Sequence, residues 1–208
     1  MSIVTMDQPY AQKMQKPRLL MNQTISTLLR RRSVRSYLPD PIGQEELEQI
    51  LEAGRYAPTA MNQQPWHFTV IRNPDLLVRL EVACRSAFLE SSIDALRQVA
   101  SQEGFSVFYR APLLVIVSGD RKALAPQYDC TLAMENMLIA ATSLGMGSCW
   151  MHAVMMFYTS EKGKKIFHEL GIDFPEGHDP LAAAVFGYPA EPLPEAPPRN
   201  KDCVTIIG

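Results

Sequence analysis

None of the four cysteines (Cys84, Cys130, Cys149 and Cys203) stands close enough to another to form a Cys-x-x-Cys pair. That excludes a zinc knuckle or a thioredoxin-type motif, and a disulfide framework is not needed to hold a core in a chain of 208 residues. An excess of charge is missing too. The 20 Lys and Arg against 22 Asp and Glu leave a net charge of −2, with no general pull toward nucleic acid or an anionic membrane. Long apolar runs are also lacking, since Ala111–Val117 and Leu181–Phe186 are too short to cross a bilayer. Met1 to Arg18 is polar and has no apolar stretch of the kind a secretory leader carries. These absences point to a soluble, cytoplasmic protein with reduced thiols, no membrane association and no internal repeat. Residues 1–22 read as a flexible tail and residues 23–208 as one domain.

What is present is a helix-rich pattern with separate strands. Thr24 is placed to cap a helix in which Ile25, Leu28 and Leu29 share one face, expected to be buried. Gly43–Tyr56 is amphipathic, with Leu47, Ile50, Leu51 and Gly54 inward. Pro65–Ile71 alternates as a strand, and Leu76–Gln102 reads as helix in two pieces. Pro112–Ser118 is apolar on both faces, as a buried strand is. Gln127–Leu144 is apolar around most of its girth and is expected at the centre of the molecule. A short strand at Ser148–Trp150, a helix at Thr159–Leu170 and a last strand at Leu181–Tyr188 complete a helix-covered sheet. Val204–Ile207 is β-branched and apolar but follows a proline-rich connector with no sheet of its own. Joining a second subunit's sheet would account for it.

Three segments carry candidate chemistry. Arg30–Arg35 holds four arginines, Arg30, Arg31, Arg32 and Arg35, plus Ser33, and grouped guanidinium forks suit a phosphate. Taken alone, a solvated basic helix end is the readier reading. Ala57–Trp66 gathers Thr59, Asn62, Gln63 and Gln64 between prolines. Their amides match the donor–acceptor rim of a pyrimidine-like ring, and equally suit a loop that satisfies its own backbone. Gly145-Met146-Gly147 follows a helix and precedes a strand, the reverse of a dinucleotide fingerprint, so that reading is rejected.

Together these segments are more specific than any one of them. Arg31-Arg32-Ser33-Val34-Arg35, then Ala57-Pro58-Thr59, then Asn62-x-Gln64-Pro65-Trp66-x-Phe68, and finally Gly187-Tyr188-Pro189-Ala190-Glu191-Pro192 closely resemble the signature blocks of the nitroreductase family. The resemblance runs from about Leu28 to Arg199.

It implies an α+β fold, a three-layer α/β/α sandwich with a mixed central sheet, paired as a homodimer with a C-terminal arm crossing to the partner. It further implies one FMN in each of two clefts between subunits. Arg31 and Ser33 are then expected at the phosphate, with Arg32 in the same segment and Arg199 completing the grip. Lys201 is the alternative to Arg199, because Arg199-Asn200-Lys201-Asp202 departs from the usual ending. Arg35 is expected at the N1/O2 edge of the ring, where a cation favours the reduced form. Pro58, Thr59 and Asn62 are expected to reach the ring from the partner subunit, and Gln64 of the same segment is expected among the cofactor-binding residues. Trp150, Met151 and His152 are expected along the ring, offering backbone N–H groups to N5/O4.

The activity implied is ping-pong transfer of hydride from NADH or NADPH to an electron-poor small molecule such as a nitroaromatic or quinone. It needs no side-chain nucleophile and no metal. The same scaffold also serves reductive dehalogenation and flavin breakdown, and a non-catalytic flavin-binding sensor is the rival from another class. Outside these roles, Cys149 reads as packing, His67 as structural, and Met155–Tyr158 as core or subunit contact before substrate wall. No extended basic face suggests a nucleic-acid partner.

Overall fold

A computed structural model describes residues 22–208. The tail expected over residues 1–22 lies outside the described residues except for Asn22. Asn22, rather than Thr24, is the cap of the first helix, and its side chain accepts from the Ile25 amide at 2.9 Å. The helices are α1 (Gln23–Arg30), α2 (Gln44–Arg55), α3 (Pro74–Leu89), α4 (Asp94–Ser101), α5 (Pro126–Ser143), α6 (His152–Tyr158) and α7 (Glu161–Glu169). The strands are β1 (Trp66–Ile71), β2 (Leu113–Asp120), β3 (Gly147–Trp150) and β4 (His178–Gly187). A 3-10 turn, Ala60–Asn62, stands between α2 and β1.

The sheet order is β1-β2-β4-β3, with each neighbouring pair antiparallel. The parallel component of the mixed sheet is a single bridge between Ser33 and Ser148. Successive side chains of a strand point to opposite faces, and this alternation separates two cores. Leu114, Ile116, Ala183 and Val185 pack with Leu80 and Cys84 of α3, Val154 of α6 and Phe167 of α7. Leu113, Val115, Val117, Ala182 and Ala184 pack with Leu47 and Ile50 of α2 and Met134 and Met137 of α5. A sheet apolar on both faces and covered on both sides is the three-layer sandwich expected from the sequence.

The α2 face is buried as its spacing predicts, at Leu47, Ile50, Leu51 and Gly54. The α1 face is not. Ile25, Leu28 and Leu29 are 45%, 41% and 61% exposed, and Thr27 is the buried residue. The helix lies at the margin of the chain and turns Thr27 inward, so its apolar stripe faces outward. The strand-like residues Val204, Ile206 and Ile207 are likewise exposed and pair with no strand among the described residues. Among the described residues no helix is long and apolar enough to cross a membrane.

Candidate functional site

The arginine segment is positioned by two glycines of the sheet. Helix α1 stops at Arg30, and residues 33–38 then run along the ends of β3 and β4. Val34 donates its amide to Ser148 at 2.9 Å, and Leu38 donates to Tyr188 at 2.9 Å. A Cβ on Gly147 would stand 2.7 Å from Val34 Cγ2, and one on Gly187 would stand 2.8 Å from the Tyr37 ring. Glycine at both places lets the segment lie directly against the sheet. Val34 and Tyr37 point into the core, and the Tyr37 hydroxyl donates to the Val34 carbonyl at 2.8 Å. Ser33 and Arg35, on either side of Val34, line a cavity.

That cavity has two contiguous parts. One, of about 350 Å³, is lined by Arg31, Arg32, Ser33, Arg35, Glu195 and Arg199 among others. The second, of about 510 Å³, shares Ser33, Arg35 and Pro194 with it and extends to Glu191. Arg31 stands 3.9 Å from Glu135 of α5, at the outer limit of an ion pair, and its donors remain largely available. Arg32 does not have that freedom. Its guanidinium donates to the carbonyls of Leu29, Arg31 and Pro194 at 2.7, 2.7 and 3.2 Å, so it staples the end of α1 to the proline-rich arm. Arg199 lines the cavity, whereas Lys201 does not.

Among the described residues Arg35 has no carboxylate partner. The ionisable groups acting on it are Tyr109, Cys149 and Tyr37, and the Tyr109 phenol raises its pKa most. Its guanidinium carbon lies 5.8 Å from the centre of the Tyr109 ring, within cation–π range. Cys149 is buried beside it. Burial raises that thiol's pKa while Arg35 and Ser33 oppose the rise, which fits packing and not a redox thiol.

Trp150, Met151 and His152 join β3 to α6 and line a smaller cavity of about 200 Å³ together with Tyr109. The Met151 amide is committed to Ala183 at 2.8 Å. The following amides, of His152 and Ala153, open α6 and have no partner within the helix. Helix α6 itself was not foreseen as a helix. It buries Met155 and Phe157 and leaves Met156 at the surface. His67 is exposed on β1, away from these cavities.

Pro58, Thr59, Asn62 and Gln64 line none of these cavities. They form an exposed loop with its own internal bonds: Gln64 donates its side-chain amide to Asn62 at 3.0 Å and its backbone amide to Thr59 Oγ1 at 3.3 Å. Met61, Asn62 and Gln64 have φ of 53°, 54° and 46°, the left-handed region that non-glycine residues seldom occupy. Asp129 of α5 anchors the loop by accepting from the Ala60 amide at 3.2 Å, with its second oxygen buried and unpartnered among the described residues. Sequence reading missed Asp129 and Tyr109 alike, because each acts through a contact more than sixty residues distant in sequence.

Residues 28–188 match the sequence profile of the Nitroreductase family. A nitroreductase from Bacteroides fragilis, solved with bound FMN, is 36% identical and superposes with a TM-score of 0.81 over 90% of this chain and 100% of that one. A nitroreductase from Desulfitobacterium hafniense, also with bound FMN, is 26% identical, with a TM-score of 0.79 over 91% and 100% of the two chains. An Archaeoglobus fulgidus protein whose name pairs NADH dehydrogenase with NAD(P)H nitroreductase is 30% identical over 82% of this chain and 88% of its own length. With the family profile matched over most of the chain and the fold shared with solved relatives, the chain belongs to the nitroreductase family.

Proposed function

We propose that this protein binds FMN and is an oxidoreductase that moves hydride from NADH or NADPH to an electron-poor small molecule, such as a nitroaromatic or quinone, by ping-pong turnover. The observation that carries the reading is the cavity in which Arg31, Ser33 and Arg199 converge, continuous with the unneutralised Arg35. Two guanidinium forks and a hydroxyl are the donor set a phosphate monoester needs, and the group therefore fits the residues present. FMN bound there would supply hydride acceptance and return at its N5 position.

The chain's own contribution is binding, orientation and charge. Arg31, Ser33 and Arg199 hold the phosphate, while Arg32 fixes the arm that brings Arg199 over it. Arg35 places positive charge where the ring gains electron density, and the free amides of His152 and Ala153 offer donors along the ring. No side-chain nucleophile is required.

Assembly belongs to the same reading. Pro58, Thr59, Asn62 and Gln64 are turned away from this chain's cavity, and Ile25, Leu28, Leu29, Val204, Ile206 and Ile207 leave apolar surface exposed. A cytoplasmic homodimer in which the loop serves the partner's cofactor and the C-terminal arm crosses over would use both features. The solved relatives with bound FMN support the cofactor, and the relative named for NAD(P)H supports the donor.

The test is direct. Purified protein is expected to be yellow, to release FMN and not FAD on denaturation, and to oxidise NADH or NADPH when a quinone or nitroaromatic is added. Protein that takes up no flavin from excess FMN would refute the reading. Flavin uptake without pyridine-nucleotide oxidation would leave a binding protein in place of an enzyme.

A further inference from the structure

The segment between α4 and β2 holds a feature that cofactor binding alone does not explain. Tyr109 and Arg110 are consecutive non-glycine residues at φ of 54° and 57°. Two such residues in a row are unfavourable, because in the left-handed region Cβ crowds the following carbonyl. The kink persists because both flanks are fixed. Val107 and Phe108 are buried, the Val107 amide donates to Glu81 at 3.0 Å, and the Arg110 amide donates to Ser106 Oγ at 3.1 Å. The Ala111 amide closes the turn on Phe108 at 3.0 Å. Backbone held out of its favoured region by its surroundings marks a place where a side chain must point in one direction.

That direction is toward Arg35. The Tyr109 ring lies 5.8 Å below the guanidinium carbon. The same residue lines two cavities, one shared with Arg35 and the other with Trp150, Met151 and His152. Tyr109 therefore stands between the two groups of residues proposed to border the ring from this subunit. An arginine on a long, exposed side chain would otherwise sample many rotamers, and a charge that wanders stabilises little. An aromatic face attracts a guanidinium and fixes its plane without neutralising it, which a carboxylate would do.

We infer that Tyr109 is a positioning residue whose ring face holds the Arg35 guanidinium in place, so that its full positive charge is directed at the bound flavin and raises the flavin's reduction potential. This deepens the FMN reading above and rests on the assignment of Arg35 to the electron-accepting edge of the ring. Oxidised FMN is gripped chiefly at its phosphate, by residues Tyr109 does not touch. Its loss should therefore change the preference for reduced over oxidised flavin more than it changes overall affinity.

The test is potentiometric titration of the FMN-loaded protein for the parent, Tyr109→Phe, Tyr109→Leu and Arg35→Ala, with the oxidised-FMN dissociation constant measured alongside. Tyr109→Leu is expected to reduce the preference for reduced flavin about fivefold, which for a two-electron couple is a fall of about 20 mV. Tyr109→Phe, which keeps the ring, should restore the parent's potential, and oxidised-FMN affinity should move less than twofold in both. Tyr109→Leu at the parent's potential would overturn the inference. An equal fall in Phe and Leu would also overturn it, by assigning the effect to the hydroxyl. Should Tyr109→Leu fail to load flavin, Tyr109→Trp carries the test: its potential should equal or exceed the parent's, and a fivefold loss of preference would overturn the proposal. An unchanged potential in Arg35→Ala would instead show that the placement of Arg35 is wrong.

Discussion

Residues 33–38 lie against the sheet, bridged to Ser148 and Pro189 and fitted over two glycines, whereas residues 58–64 form a largely exposed loop held by its own bonds and by contacts with Leu124 and Asp129. The first segment is finished within one chain. Its core-facing residues fix it, and its outward residues meet Arg199 across a cavity. The second is anchored by Asp129 and carries three strained non-glycine residues, yet lines none of the cavities described above. Strain of this kind costs about 1–3 kcal/mol per residue and persists only where the surroundings enforce it. On the reading proposed above, the first segment completes one half of a site within the chain and the second is the half offered to another copy.

The largest expected effect comes from breaking the finished half at its base. Gly147→Val places side-chain atoms where Val34 already packs, and overpacking of this kind costs about 1–3 kcal/mol. Displacement of Ser33 and Arg35 should weaken FMN binding by up to about a hundredfold, read by fluorescence titration. Arg31→Ala attacks the same half without moving the backbone. Removing one charge-assisted bond, worth about 1.5–3 kcal/mol, should weaken FMN by about ten- to a hundredfold. Flavin-saturated enzyme should meanwhile keep most of its rate.

Breaking the second half should look different. Asp129→Ala releases the Ala60 amide, but it also removes a buried oxygen that has no partner among the described residues. Loss and relief should nearly offset, leaving global stability within about 1 kcal/mol while the loop becomes open to proteolysis. Limited digestion and thermal melting of one preparation separate these outcomes. The smallest effect sharpens the C-terminal boundary of the finished half. Arg199→Ala should weaken FMN by about tenfold, the cost of one bond to a charged group, and Lys201→Ala should stay within about twofold.

Much of the fold was legible because period and length agreed. The stripe of α2, the all-round apolarity of α5 and the doubly apolar β2 each have a single placement in a covered sheet. Helix α6 was not legible, since seven residues carry too little periodicity to distinguish a helix from a loop wall. The stripe of α1 was legible, but its burial was not, because amphipathicity shows that a face is apolar without showing what covers it. In the site, residue types were readable and their commitments were not. Arg31 and Arg32 are adjacent and chemically identical, yet backbone carbonyls occupy only the second. The contact of Tyr109 with Arg35 depends on left-handed backbone at residues that carry no glycine signal.

The claim that one cofactor site joins the finished half of one subunit to the loop of another is tested most directly by mixed dimers. One chain carries Arg31→Ala with Ser33→Ala; the other carries Thr59→Ala with Asn62→Ala. Each pure variant should hold little FMN at a concentration that saturates the parent. In a mixed dimer, one site collects both defects and the other collects neither, so FMN occupancy should recover to one per dimer. Mixed dimers that bind no more FMN than the two pure variants would contradict a site shared between subunits.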